Sequence, residues 1–204
     1  MKSVAVVDYG MGNLDSVARA LEECGARAAV TSVASEIERA DAVVVPGVGA
    51  FSYGAEMIRQ RGLDVVLDAV VREGMPTLGL CLGMQLMAAR GDEGGTTPGL
   101  GWFDAEVRRL EPAAPGERIP HVGWNELDVR SAAPLLEGIA SGRDFYFVHS
   151  FHVACRRQQD VIATTPYCGG FASVIGRDNV WGVQFHPEKS QKAGFQLLRN
   201  FLRL

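Results

Sequence analysis

Up to residue 90, short apolar runs rich in β-branched residues alternate with longer stretches whose apolar positions recur at helical spacing. Residues 4–7 and 41–45 read as strands buried on both faces, because the hydrophobic run is continuous rather than alternating. Residues 28–31 predict a strand between them. Asn13 is placed to cap a helix reaching Cys24, with Gly25 just past its end and Leu14, Val17, Ala18 and Leu21 on one face. Pro46-Gly47 stops the 41–45 strand, and helical material over 55–73 ends at Gly74-Met75-Pro76. A further strand over 77–80 runs through a glycine-flanked cysteine into a helix over 83–89. This alternation predicts a parallel sheet covered by helices on both faces.

Beyond Gly91 a loop of Gly, Pro and Thr leads into shorter segments separated by turns, so the second half is expected to be more antiparallel. Strand candidates are residues 102–110, 145–149, 161–164, 172–175 and 180–185. Residues 190–204 predict a closing helix with Ala193, Leu197, Leu198 and Phe201 on one face. No linker, repeat or low-complexity tract divides the 204 residues, a length that suits one domain. The expectation is a single α/β domain with a mixed central sheet.

Composition narrows the function classes. Hydrophobic residues make up 47% and charged residues 22%, which excludes disordered and collagenous chains. Twenty basic against 24 acidic residues leave a net charge of −4, without the basic excess of a nucleic-acid binder. No apolar run approaches the roughly 18 residues of a membrane helix, and Asp8 interrupts any signal-peptide core, so a cytoplasmic protein with no membrane partner is expected. Cys24, Cys81, Cys155 and Cys168 are scattered, and with His121, His149 and His152 they match no metal-ligand spacing. Gly10-Met11-Gly12 has Asp15 where a dinucleotide fingerprint needs its third glycine, and no phosphate loop follows. Neither a metal nor another cofactor is expected.

Candidate chemistry centres on Gly79-Leu80-Cys81-Leu82-Gly83, which has the form of a nucleophile elbow with cysteine in place of serine. Glycines two residues away on each side let strand and helix pass closely around a sharp turn. A helix N-terminus also favours the reactive thiolate. By itself the pentapeptide equally fits a buried cysteine in a glycine-rich turn, so a partner base decides its meaning. Gly182-Val183-Gln184-Phe185-His186-Pro187-Glu188 offers one. Residues two apart on an extended chain point the same way, so Glu188 can hold His186 in the tautomer that serves Cys81. Donors for a developing oxyanion are expected from the Leu82 amide and from Pro46-Gly47-Val48-Gly49, where glycines allow close approach and a peptide flip.

Gly79-Leu80-Cys81-Leu82-Gly83-Met84-Gln85 followed by Phe185-His186-Pro187-Glu188 resembles the triad glutamine amidotransferases over essentially the whole chain. Pro46 to Phe51, Pro120-His121-Val122-Gly123-Trp124-Asn125, Tyr146-Phe147-Val148-His149-Ser150 and His186-Pro187-Glu188-Lys189-Ser190 are similar to one branch of that family. So is the opening run Asp8 to Leu14. The branch comprises the glutaminase subunits of imidazole glycerol phosphate synthases, in histidine biosynthesis. The resemblance implies a flavodoxin-like glutamine amidotransferase fold and hydrolysis of glutamine by Cys81, His186 and Glu188. It implies that Gly47, Val48 and Gly49 form a movable oxyanion strand beside Leu82, and that Gln85, His149, Ser150 and Phe151 hold the substrate. The family often has Tyr where this chain has Phe151, which leaves a backbone contact there but no hydroxyl. The implied partner is a cyclase subunit with a (β/α)8 barrel that receives the ammonia, with Trp124, Tyr146 and Lys189 at the interface. Burial in the core suits the two aromatic residues equally well, and solvent suits the lysine. Rival readings are a glutaminase of another synthase, a binding subunit without activity, and a cysteine hydrolase acting on another substrate.

Overall fold

A computed structural model describes residues 1–204. Its first half runs β1 (Ser3–Val7), α1 (Leu14–Glu23), β2 (Arg27–Thr31), α2 (Ala34–Glu38), β3 (Ala42–Val45), α3 (Phe51–Gln60), α4 (Leu63–Arg72), β4 (Thr77–Leu80) and α5 (Leu82–Leu86). Then follow β5 (Ala88–Gly91), β6 (Thr97–Pro98), β7 (Phe103–Arg109), β8 (His121–Val129), β9 (Arg143–His149) and β10 (Phe151–Cys155). The chain closes with β11 (Val161–Thr165), β12 (Phe171–Arg177), β13 (Val180–Val183) and α6 (Gln191–Phe201).

Nine strands form one mixed sheet in the order β2-β1-β3-β4-β13-β12-β11-β8-β9. The strands from β2 to β13 pair in parallel, and those from β13 to β9 pair antiparallel. A second sheet, β10-β7-β5-β6, packs beside it. Within β1, Val4 and Val6 face a core shared with α1 and α6, while Ala5 and Val7 face a core built with α2, α3, α4 and the small sheet. Strands buried on both faces therefore have no polar side to alternate, and β1, β3 and β4 carry near-continuous apolar runs. The Asn13 side chain accepts from the Ser16 amide at the start of α1, and Gly25 turns the chain at φ 93° after its end. Leu21 of that helix is fully buried, worth roughly 1.5–3 kcal/mol.

Three expectations need correction. The helical stretch over 55–73 is two helices that begin at Phe51, because Arg61 ends α3 and Gly62, at φ 66°, redirects the chain. The helix after Cys81 stops at Leu86, and Ala88 and Ala89 belong to β5, which pairs with β7. The strand expected over 180–185 ends at Val183, so the residues after it leave the sheet. The sequence pattern predicts none of strands β6, β8 and β10 nor helix α2; β6 falls in the stretch expected to be a loop. No helix is long and apolar enough to cross a membrane.

Candidate active site

Cys81 joins β4 to α5 with φ 52° and ψ −106°, a region a residue with a β-carbon rarely enters. The flanking glycines make that turn possible. A Cβ on Gly79 would stand 2.7 Å from the backbone of Gly83 and Met84, and one on Gly83 would stand 1.7 Å from the Val45 carbonyl oxygen. Strand β13 lies parallel to β4 with Val183 opposite Leu80, and the Cys81 amide donates to the Val183 carbonyl at 2.8 Å. That register carries Gln184, Phe185 and His186 past the elbow.

His186 is fixed from both sides. Its amide donates to the Tyr146 carbonyl at 2.9 Å. The Ser190 hydroxyl accepts from the Tyr146 amide at 3.0 Å and donates to the His186 carbonyl at 2.6 Å. Nδ1 of the ring lies 2.9 Å from Glu188 Oε1, with the two side chains 6% and 2% exposed. A carboxylate accepts, so Nδ1 carries the hydrogen. Nε2 is buried and makes no hydrogen bond. Burial opposes charging this imidazole, but Cys81 and Glu188 together outweigh burial and raise its pKa to about 9. The two partners thus favour the protonated ring against the burial that opposes it. The Cys81 sulfur meanwhile lies 3.9 Å from the Val148 carbonyl and 3.6 Å from Gln184 Nε2.

The sulfur opens onto a cavity of about 300 Å³ bordered by Val48, Gly49, Leu82 and Gln85. Val148, His149, Ser150 and Phe151, at the junction of β9 and β10, also line it, as does Glu93. Gly47 lies behind, with His186, Glu188 and Lys189 around a much smaller cavity that Val48 also borders. The Gly47 carbonyl accepts from the Leu82 amide at 3.3 Å, so that amide is engaged by the chain's own backbone. A Cβ on Gly47 would meet the Tyr9 hydroxyl at 2.0 Å. That hydroxyl is buried without a partner, and burial, followed by the nearby Cys81, pushes its pKa far above the ordinary range.

The lining from His149 to Phe151 has a defined direction of hydrogen bonding. The Phe151 carbonyl accepts from His149 Nδ1 at 2.8 Å and from Gln85 Nε2 at 2.8 Å. Burial drives the His149 pKa down to about 3, so the neutral ring has an unprotonated Nε2. That atom, 3.1 Å from His121 Nδ1, must accept from it. Burial likewise lowers the His121 pKa to about 4, and its Nε2 is left to accept from Asn125 Nδ2 at 3.3 Å. The tautomers of both histidines thus follow from one backbone carbonyl.

Trp124, Tyr146 and Lys189 form one surface patch. Trp124 is 48% exposed and meets Tyr146 edge-to-face at 5.9 Å between ring centroids, while Lys189 Nζ stands 5.8 Å from the Tyr146 ring. Trp124 is not a core residue. Glu93, Gln184 and Tyr9 join the site without a sequence expectation. An acidic residue within Gly91-Asp92-Glu93-Gly94-Gly95 is a usable signal for the first, but nothing local marks the other two.

A cysteine elbow beside a buried histidine–carboxylate pair on a mixed α/β sheet defines a class, and the match of residues 5–204 to the family model "Glutamine amidotransferase class-I" agrees: the chain belongs to that family. Among curated proteins, it is 48% identical to "Imidazole glycerol phosphate synthase subunit HisH" of Azospirillum brasilense, covering 99% of this chain and 98% of that one. It is 44% identical to the protein of that name from Agrobacterium fabrum, covering 98% of each. A solved glutamine amidotransferase superposes with a TM-score of 0.72 at 25% identity, covering 98% of this chain and 97% of the other.

Proposed function

We propose that this chain is the glutaminase subunit of an imidazole glycerol phosphate synthase, working in the cytoplasm, where four free thiols are at home. The observation that carries the reading is Cys81 on its strained turn, facing a glutamine-sized cavity, with the His186–Glu188 pair buried behind it.

The Cys81 sulfur attacks the side-chain carboxamide carbon of glutamine. As the C–N bond breaks, His186 gives its Nε2 proton to the nitrogen and ammonia leaves, with a glutamyl thioester on Cys81. His186 then takes a proton from the water that attacks the thioester, the C–S bond breaks, glutamate leaves, and the thiolate and the protonated imidazole are restored together. Glu188 keeps the imidazole oriented and offsets its charge. The negative oxygen of each tetrahedral species is held by the Leu82 amide and by an amide of the Gly47-Val48-Gly49 strand. This requires the Gly47 carbonyl to leave Leu82. Glu93 offers its carboxylate to the substrate ammonium. Gln85 and the backbone of His149, Ser150 and Phe151 hold the rest of the amino-acid end.

Ammonia released into neutral water becomes ammonium and is no longer a nucleophile, so the product has to pass directly to a second active site. A (β/α)8-barrel cyclase subunit is the proposed recipient, docked on the Trp124, Tyr146 and Lys189 patch. The test is glutamate release from glutamine by the purified chain, alone and with a cyclase subunit plus its nucleotide substrate. Strong stimulation is expected. Brisk turnover indifferent to the cyclase points to another synthase, and no turnover in either condition overturns the glutaminase reading.

A further inference from the structure

Gln184 is fully buried, in the stretch that links the end of β13 to His186, and the mechanism above gives it no part. Its amide orientation can be deduced. The Phe151 carbonyl only accepts, so Gln85 must present its NH2 group there, at 2.8 Å. The second hydrogen of that NH2 points to the Gln184 side chain at 3.1 Å, so Gln184 must present its oxygen. Its own NH2 is then turned to the Cys81 sulfur, 3.6 Å away. Three groups in series, the Phe151 carbonyl and two buried amides, leave only one orientation for the last, and it donates to the nucleophile.

We propose that Gln184 is a further catalytic residue, whose side-chain N–H, oriented by Gln85 and the Phe151 carbonyl, stabilises the Cys81 thiolate. A thiolate accepts hydrogen bonds far better than a thiol, and a bond to a charged acceptor in a dry site is stronger than one between neutral groups. The donor thus acts on ionisation of the nucleophile, before any substrate binds. It also leaves Gln85 only its oxygen to offer to the cavity, which makes that residue an acceptor toward substrate. Other titratable groups surround the sulfur: Tyr9 after β1, Glu93 after β5, His149 at the end of β9, and His186 with Glu188 after β13. All of them remain when Gln184 alone is changed.

The inference deepens the glutaminase reading but is read on the thiol rather than on glutamine. The experiment is the rate of Cys81 alkylation by iodoacetamide as a function of pH, followed by peptide mass spectrometry to separate it from the other three cysteines. For Gln184→Met, similar in size and without a donor, the alkylation profile of the reactive thiol should move up by about one pH unit, a roughly tenfold fall in its acid dissociation constant. Gln184→Glu should raise it further, since a carboxylate repels the thiolate whatever Gln184 does in the parent, so the Gln184→Met shift is the outcome that decides: a purely space-filling role predicts none. A folded Gln184→Met protein with the parent alkylation profile overturns the proposal. Should that variant fail to fold, the side-chain amide of Gln184 in the unaltered, nitrogen-15-labelled chain gives the answer by NMR. Its signal should move with ionisation of Cys81, and a signal indifferent to that step overturns the proposal. A shifted alkylation profile in a protein that never releases glutamate upholds the role of Gln184 and defeats only the glutaminase reading.

Discussion

The parallel and antiparallel halves of the large sheet each bring a histidine to the neighbourhood of Cys81 and hold it in opposite states. His186, beyond the parallel strand β13, has its pKa raised to about 9, whereas His149, at the end of the antiparallel edge strand β9, has it lowered to about 3. Both rings are buried. Burial alone favours the neutral ring, and it prevails at His149, whose partners are a carbonyl and a second imidazole. At His186 the Glu188 carboxylate and the Cys81 sulfur reverse it. One half of the sheet is therefore equipped to move a proton, and the other to hold a fixed wall of donors and acceptors.

The hardest blow to the proton-moving half is Cys81→Ala. It should abolish glutamate release while leaving cyclase synthesis from ammonium salts intact, and equal loss of both activities would count against a dedicated nucleophile. His186→Ala should be nearly as damaging, and Glu188→Ala less so, because an orienting group is partly replaceable. Near-normal turnover by His186→Ala would remove it as the acid and base.

Next in size is a contrast between two glycines. Gly83→Ala forces a methyl group into the Val45 carbonyl and should lose more than about 3 kcal/mol in urea denaturation. Gly123, in β8, sits at φ 138° with open space where a Cβ would go, so Gly123→Ala should cost about 1–3 kcal/mol from backbone strain alone. Equal losses would mean that close packing is not what sets the elbow apart.

The two histidine states also predict opposite pH limbs. The raised pKa of His186 gives stability that is complete below its ordinary value of 6.5 and is lost as pH rises through about 9. The lowered pKa values of His149 and His121 give stability present above 6.5 and lost as pH falls through about 4 and about 3. Thermal melts across that range should show His186→Gln flattening the alkaline limb and His121→Phe flattening the acid one. A swap of the two effects would refute the assignment. The smallest effect is expected on the surface patch: Trp124→Ala and Lys189→Ala should weaken cyclase binding, the tryptophan more, with unaided glutamine turnover unchanged. Unaltered affinity would move the interface elsewhere.

The same division decides what could be read from sequence. β1, β3 and β4 are legible because burial on both faces leaves a near-continuous run without polar alternation. β8 is not, since its buried His121 and Leu127 are separated by Gly123, Asn125 and Glu126 and by the exposed Val122 and Trp124. β10 carries mostly half-buried residues, with Val153 alone fully inside, and so offers no alternation to detect. The break between α3 and α4 is legible: Arg59-Gln60-Arg61-Gly62 interrupts the apolar spacing between Ile58 and Leu63, and a glycine after basic residues is a helix-end signal. In the site, Cys81, His186 and Glu188 could be picked out because their neighbours are unusual: glycines about one, a proline between the others. Gln184 and Tyr9 could not, because what distinguishes them is a neighbour from a distant part of the chain.

The 3.3 Å bond from the Leu82 amide to the Gly47 carbonyl has a consequence best expressed as a population. A backbone hydrogen bond contributes about 1 kcal/mol net, which by itself favours the engaged arrangement only about fivefold. Under the glutaminase reading the idle chain is biased rather than locked, and a slow background hydrolysis is built in. A cyclase that binds the released arrangement more tightly by about 2 kcal/mol would invert the ratio, a modest fraction of the free energy of a stable protein interface.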